Sequence, residues 1–157
     1  MLLNLLFIFM VAFQFGCTNK MNAQSSSGNI SQGIQGKVLW LEGNMMPTIN
    51  EGGDVPKQKG VPIKREVHIY ELTQFSEANS NEGFYTSLPT ELIKKVETDE
   101  NGNFAVALEP GKYSVFVKEE KGLWANLFDG EGNIMPVEVS EGEVTDLKIQ
   151  VNYKAAY

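Results

Sequence analysis

The run from Thr98 to Lys118, TDENGNFAVALEPGKYSVFVK, constrains the fold of this chain more than any other stretch. Asp99-Glu100-Asn101-Gly102 is rich in residues that tolerate tight, left-handed backbone positions, as a hairpin loop requires. Phe104, Val106 and Leu108 then alternate with Asn103, Ala105 and Ala107, the period of a strand with one buried face. Glu109-Pro110-Gly111-Lys112 has the form of a type II turn, with proline presetting the second position and glycine supplying positive φ at the third. Tyr113, Val115 and Val117 carry a second inward face. Two strands and two turns follow directly.

The rest of the chain repeats this grammar. Gly33 to Glu42 reads as a first strand with Ile34, Val38 and Trp40 on one face and Leu39 and Leu41 on the other. Arg65 to Thr73 is a second, with Val67 and Ile69 inward and His68 and Tyr70 outward. Glu91 to Thr98 is a third, and Lys94 and Lys95 mark it as an exposed edge. A short strand at Pro136 to Ser140 precedes the most regular alternation in the chain, Thr145, Leu147, Ile149, Val151 and Tyr153 against Asp146, Lys148, Gln150 and Asn152. Seven short strands with turn signals between them predict an all-β, antiparallel Greek-key sandwich of the Ig-like kind. Three segments fall outside the pattern: Gly43 to Lys64, the polar insertion Gln74 to Pro89, and Glu119 to Met135. Connections this long are uncommon in a compact domain and are often functional.

The N-terminus is of a different character. Leu2 to Phe15 is almost wholly apolar and ends in Gly16-Cys17, the only cysteine of 157 residues. A membrane span needs about 20 apolar residues, so this run suits a signal segment better than a mature anchor. Glycine directly before the lone cysteine resembles the lipobox of bacterial lipoproteins. The resemblance implies cleavage after residue 16 and acylation of Cys17, with palmitate or a similar chain. Several acyl chains hold a protein on a membrane far more firmly than one. Residues 17–32 then read as the acylated cysteine and a polar tether with a reach of roughly 20 Å. Residues 33–157 form one domain of a usual size. The formal charge of −7 lies outside the signal segment, and an acidic domain is poorly suited to nucleic acid.

Several turn motifs occur in one order: Gly36-Lys37-Val38, Gly60-Val61-Pro62 before Val67-His68-Ile69-Tyr70, Thr98-Asp99 to Gly102-Asn103-Phe104, and Pro110-Gly111-Lys112-Tyr113. Val137-Glu138-Val139 with Gly142 and Val144-Thr145 closes the series. Together they resemble the carboxypeptidase regulatory-like domain, of the transthyretin-like, prealbumin-type β-sandwiches, over roughly Gly33 to Asn152. The resemblance implies a module without an active site of its own, serving as an accessory or extracellular unit.

The residues offer little chemistry. A catalytic triad needs a histidine oriented by an acid beside a nucleophile. His68 is the one histidine, with Glu66, Glu71 and Ser114 as conceivable partners, so a hydrolase built on His68 is the enzymatic alternative. On the polar face of a strand, His68 is expected at the surface. Zinc takes several Cys or His ligands, and no such set exists. Asp99, Asn101, Asp129, Glu131 and Asn133 offer oxygen ligands, but neither run fits the calcium loop, and turn formation explains them more simply. No cofactor and no metal are expected. Trp124 and Phe128 sit outside any strand pattern, either as a lid on the core or as an exposed patch for a protein or sugar partner. If successive strands alternate in direction, the segments Gly43 to Lys64, Asp99 to Asn103 and Glu119 to Met135 share one end with the C-terminus. That places a partner-binding surface at Met45, Met46, Asp99, Trp124, Phe128, Asp129 and Tyr157. The expectation is a lipid-anchored, non-enzymatic binding or accessory module of the bacterial envelope, at the outer membrane, with a carbohydrate-binding module as alternative.

Overall fold

The computed structural model describes residues 24–25, 29–46 and 60–157. The signal segment, Cys17 and most of the tether lie outside the described residues, as does the middle of the first long connection. The strands are β1 (Gln24–Ser25), β2 (Gly33–Asn44), β3 (Val61–Pro62), β4 (Glu66–Glu71), β5 (Asn79–Asn81) and β6 (Phe84–Ser87). Then follow β7 (Leu92–Glu97), β8 (Asn103–Ala107), β9 (Gly111–Glu119), β10 (Gly122–Trp124), β11 (Pro136–Val139) and β12 (Val144–Ala156). A short 3-10 turn at Phe75–Glu77 is the only helical element among the described residues.

The expected all-β sandwich forms, from more and shorter pieces than the seven strands anticipated. The larger sheet runs β1-β7-β4-β9-β10-β6-β5, and the smaller runs β12-β2-β3. In each sheet one long strand has an edge shared by two short ones. Along β9, β10 pairs with Val117 to Glu119 and β11 with Gly111 to Ser114. Along β2, β8 pairs with Gly33 to Lys37 and β3 with Leu39 and Trp40. The antiparallel expectation holds for most pairs, but β12 lies parallel to β2 from Gly33 to Asn44.

The alternation read from the sequence selects the faces. Ile34, Val38, Val67, Ile69, Val96, Val115, Val117, Ile149 and Val151 are all fully buried between the sheets. Burying a side chain of this size contributes about 1.5–3 kcal/mol. Leu39 and Leu41, on the opposite face of β2, are also buried, so that strand is covered on both sides.

The larger sheet is covered on its back as well. The insertion Gln74 to Pro89 does not stand out as a free loop. It adds β5 and β6 to the edge of the same sheet beside β10, and just before it the Thr73 N–H donates to Ser114 Oγ at 2.9 Å. From within it, the Tyr85 ring meets Phe116 edge-on at 5.4 Å. Ser114 and Phe116 are therefore fully buried, although they face away from the main core.

Gly36 permits a close backbone approach in the smaller sheet. A Cβ there would lie 2.1 Å from the Leu147 carbonyl oxygen and 2.9 Å from the Phe104 ring. At Gly130 a Cβ would meet nothing within 4 Å. Gly36→Ala is therefore expected to cost at least about 2 kcal/mol of unfolding free energy, and Gly130→Ala within about 0.5 kcal/mol. Urea unfolding followed by tryptophan fluorescence measures both.

Candidate functional site

His68 lies opposite Phe116 across the β4–β9 ladder and is 6% exposed. The surface position expected for it is not what forms, because Tyr70 stacks beside the ring and the residues of one groove, Tyr85, Leu88, Lys118 and Leu123, gather around it. Its Nε2 is 2.5 Å from Glu66 Oε1, and its Nδ1 is buried without a hydrogen-bond partner among the described residues. Burial pushes the imidazole pKa below its ordinary value; Glu66 opposes this, and the Lys95 and Lys118 ammonium groups reinforce it. The hydrogen bond from His68 in turn holds the Glu66 carboxyl below the usual carboxylate range. Beside this pair opens a groove of about 360 Å³ lined by His68, Tyr70, Tyr85, Leu88, Lys118 and Leu123, among others.

Among the described residues no hydrogen bond links His68 to Ser114. Ser114, the serine considered beside His68, accepts the Thr73 N–H through Oγ and is fully buried. Thr73 Oγ1 is itself bound to the Glu71 carbonyl at 2.8 Å.

Both acidic loops are self-contained turns of one design. Asp99 Oδ1 accepts the N–H groups of Asn101 and Asn103 at 2.9 and 2.7 Å, and Oδ2 accepts the Asn103 side-chain amide at 3.1 Å. Asp129 repeats this with Glu131 and Asn133 at 2.9 and 2.8 Å, and with the Asn133 amide at 2.7 Å. The shared sequence is Asp-x-x-Gly-Asn, with Gly102 at φ 74° and Gly132 at φ 84°. Hydrogen bonds from the asparagine hold both carboxyls below their ordinary pKa. Their oxygens serve the turn. Among the described residues no group of three or more His, Cys, Asp or Glu side chains could hold a metal ion.

The residues predicted for one partner surface fall into three groups. Met45 and Tyr157 lie at the end of the β2–β12 ribbon, where the Met45 N–H donates to the Ala156 carbonyl at 2.8 Å. Met46 follows, 55% exposed. Trp124 reaches the same ribbon through the Gln150 carbonyl at 3.4 Å. Asp99 sits in the β7–β8 turn, beside the middle of β2, where Gly102 O accepts the Val38 N–H at 2.9 Å. Phe128 and Asp129 lie elsewhere. Phe128 meets Phe75 edge-on at 5.4 Å, and Gln74 bridges to Asn133. Alternating strand directions would put Gln74 to Pro89, and Phe75 with it, at the opposite end from Phe128. The parity argument fails here because β10 and β11 run in the same direction along one edge of β9, so the chain between them is a sideways excursion.

Trp124 and Phe128 also part in environment. Trp124, Phe84 and Trp40 surround Tyr153 at centroid distances of 5.2, 4.9 and 5.1 Å. The Tyr153 hydroxyl donates to Glu119 Oε2 at 2.9 Å, while Arg65 Nε donates to Glu119 Oε1 at 2.8 Å. Burial, with the neighbouring Glu119 carboxylate, pushes the Tyr153 pKa up to about 12. Phe128, by contrast, is 51% exposed beside exposed Phe75 and Leu127.

The groove behind the sheet was not anticipated from the sequence. Its signal was present: His68 and Tyr70 share one parity of β4, Phe116 and Lys118 share one parity of β9, and the polar insertion carries Phe84 and Tyr85. No protein-family model, curated protein or solved structure matches this chain.

Two measurements test these environments. Trp124→Ala is expected to lower stability by about 3 kcal/mol, and Phe128→Ala by under about 1 kcal/mol, as read from urea midpoints. Acid should act in two windows. His68 has a folded-state pKa lowered from 6.5, so the unfolded chain binds the proton first and stability falls as pH drops below 6.5. Asp99 and Asp129, lowered from 3.8, contribute stability that is complete above 3.8 and lost as pH falls through their folded values. In His68→Gln the first decline should vanish and the second remain.

Proposed function

We propose that this chain is a lipid-anchored, non-enzymatic module of the bacterial cell envelope, delivered to the outer membrane, that acts as a binding or structural accessory domain. We assign its β-sandwich to the carboxypeptidase regulatory-like kind. The observation that carries this reading is the order of parts. An apolar leader ends at Gly16-Cys17, a polar tether follows, and then a small β-sandwich begins at Gly33. The non-enzymatic part is supported by the fate of the candidate catalytic groups. His68 is engaged with Glu66, and Ser114 is taken up by the backbone of Thr73.

Metabolic labelling with palmitate in a bacterial host tests the anchor. The expected outcome is a labelled protein in the membrane fraction whose mature N-terminus is Cys17, with label and processing both lost in Cys17→Ser. Unlabelled protein beginning at another residue overturns it.

A second reading is a carbohydrate-binding module, favoured by the exposed, edge-on pair of Phe75 and Phe128 beside Leu127. Aromatic faces of this kind suit the apolar faces of sugar rings. On a glycan array this reading expects binding that Phe128→Ala reduces at least about tenfold; an array without hits removes it.

A further inference from the structure

The groove behind the larger sheet collects polar heads that the fold itself leaves unused. The Tyr70 and Tyr85 hydroxyls and the Lys118 ammonium all line it, and none has a hydrogen-bond or ion-pair partner among the described residues. Tyr85 is only 4% exposed as a residue, yet its hydroxyl is not sealed from solvent, so it opens into the groove and is available to a ligand. Its ring is fixed edge-on against Phe116, so its position is set before any ligand arrives. Of the other polar groups in the lining, Ser87 is exposed and two are occupied. Thr86 Oγ1 donates to the Asn79 carbonyl at 3.4 Å, and Lys121 pairs with Glu82 at 2.6 Å. Glu120 is the one carboxylate in the lining, and it is exposed.

We infer that this groove binds a small organic carboxylate, with its head on Lys118 and the Tyr70 and Tyr85 hydroxyls and a flat apolar body against Tyr85, Leu88 and Leu123. Three donors along one groove, one of them cationic, favour an acceptor that carries charge, because charge-assisted hydrogen bonds are the stronger ones. The apolar walls select a body that a hydrated inorganic ion lacks. The site lies within the described domain and stands whether or not Cys17 is acylated. It is separate from the exposed Phe75 and Phe128 pair.

Binding is coupled to His68. With Nε2–H directed to Glu66, the neutral ring presents only a lone pair at Nδ1. The groups facing the imidazole are Glu66 on its own strand, Lys95 on β7, Lys118 and Phe116 on β9, and the neighbouring Tyr70. An added anion beside Lys118 offsets the ammonium charges that disfavour the imidazolium. The carboxylate therefore raises the His68 pKa, and by linkage it binds more tightly as His68 takes up one proton from solvent.

His68 is the only histidine, so its ring resonances in the NMR spectrum report on the groove without ambiguity. The test titrates the full chain, in detergent micelles, with benzoate, benzyl alcohol and inorganic phosphate. Expected are saturable benzoate shifts at His68, an upward move of its titration midpoint, and at least about tenfold weaker binding in Lys118→Gln. Tyr85→Phe should weaken benzoate severalfold. Lys118 is exposed, so its replacement leaves the packing intact, and the amide spectrum of each variant verifies the fold. Absence of saturation, unchanged affinity in Lys118→Gln, or benzyl alcohol binding as well as benzoate overturns the site. Inorganic phosphate matching benzoate overturns the organic body.

Discussion

The parallel pairing of β2 with β12 is the constraint on which the rest of the domain depends. It joins the domain's first long strand to its last, from Gly33 opposite Val144 to Asn44 opposite Ala156. An antiparallel pair can be closed by a two-residue hairpin, but a parallel pair needs a connection that carries the chain back. Here that connection is most of the domain, and the larger sheet is built from it. Ile149 and Val151 complete the core against Val38 and Ile34 only when the C-terminal strand arrives. Contacts this distant in sequence close a long loop before they return any stabilisation, which makes such folds slow to form.

The far end of the ribbon is held by a second device, and its chemistry is unlike that of the core. Glu119, at the end of β9, is 7% exposed and bonds to both Arg65 and Tyr153. A buried carboxylate without partners would be expensive, and one satisfied on both oxygens is tolerated. Because Arg65 precedes β4 and Tyr153 belongs to β12, the same carboxylate connects the two sheets. Trp40, Phe84 and Trp124 close around the Tyr153 ring, so the aromatic residues of this end gather about a side chain that a polar interaction anchors.

Periodicity made the strands legible, and it did so where one face met the core and the other met water. Val144 to Tyr153 and Asn103 to Leu108 could be read almost residue by residue. The Asp99 turn was legible as a turn, and the same Asp-x-x-Gly-Asn spacing at Asp129 held the identical information within what passed as an irregular connection. What the sequence did not expose was lateral placement. Nothing local in Gln74 to Pro89 states that it pairs with β10 and brings Tyr85 against Phe116, because its composition is that of a solvated loop. His68 looked like a surface residue for the same reason: alternation records which face of its own sheet a side chain takes, and not what another segment lays over that face. The parity argument for a shared surface failed on a related point. It counts strand reversals, and two short strands running the same way along one edge of β9 add none.

Folding requirements and binding capacity can be separated in this molecule by asking which polar groups have been used. The carboxylates of Asp99 and Asp129 looked available for ligands, yet their oxygens accept backbone and amide N–H groups within their own turns. Ser114 looked available as a nucleophile, and it satisfies the Thr73 N–H. Glu119 is doubly bonded. Each is engaged in holding the fold together. The groove at His68 is the reverse case, where polar groups line a recess without being taken up by the fold. The Tyr70 and Tyr85 hydroxyls and the Lys118 ammonium are not sealed from solvent, so water can satisfy them at little cost to the fold. They are where the fold retains hydrogen-bonding capacity for another molecule.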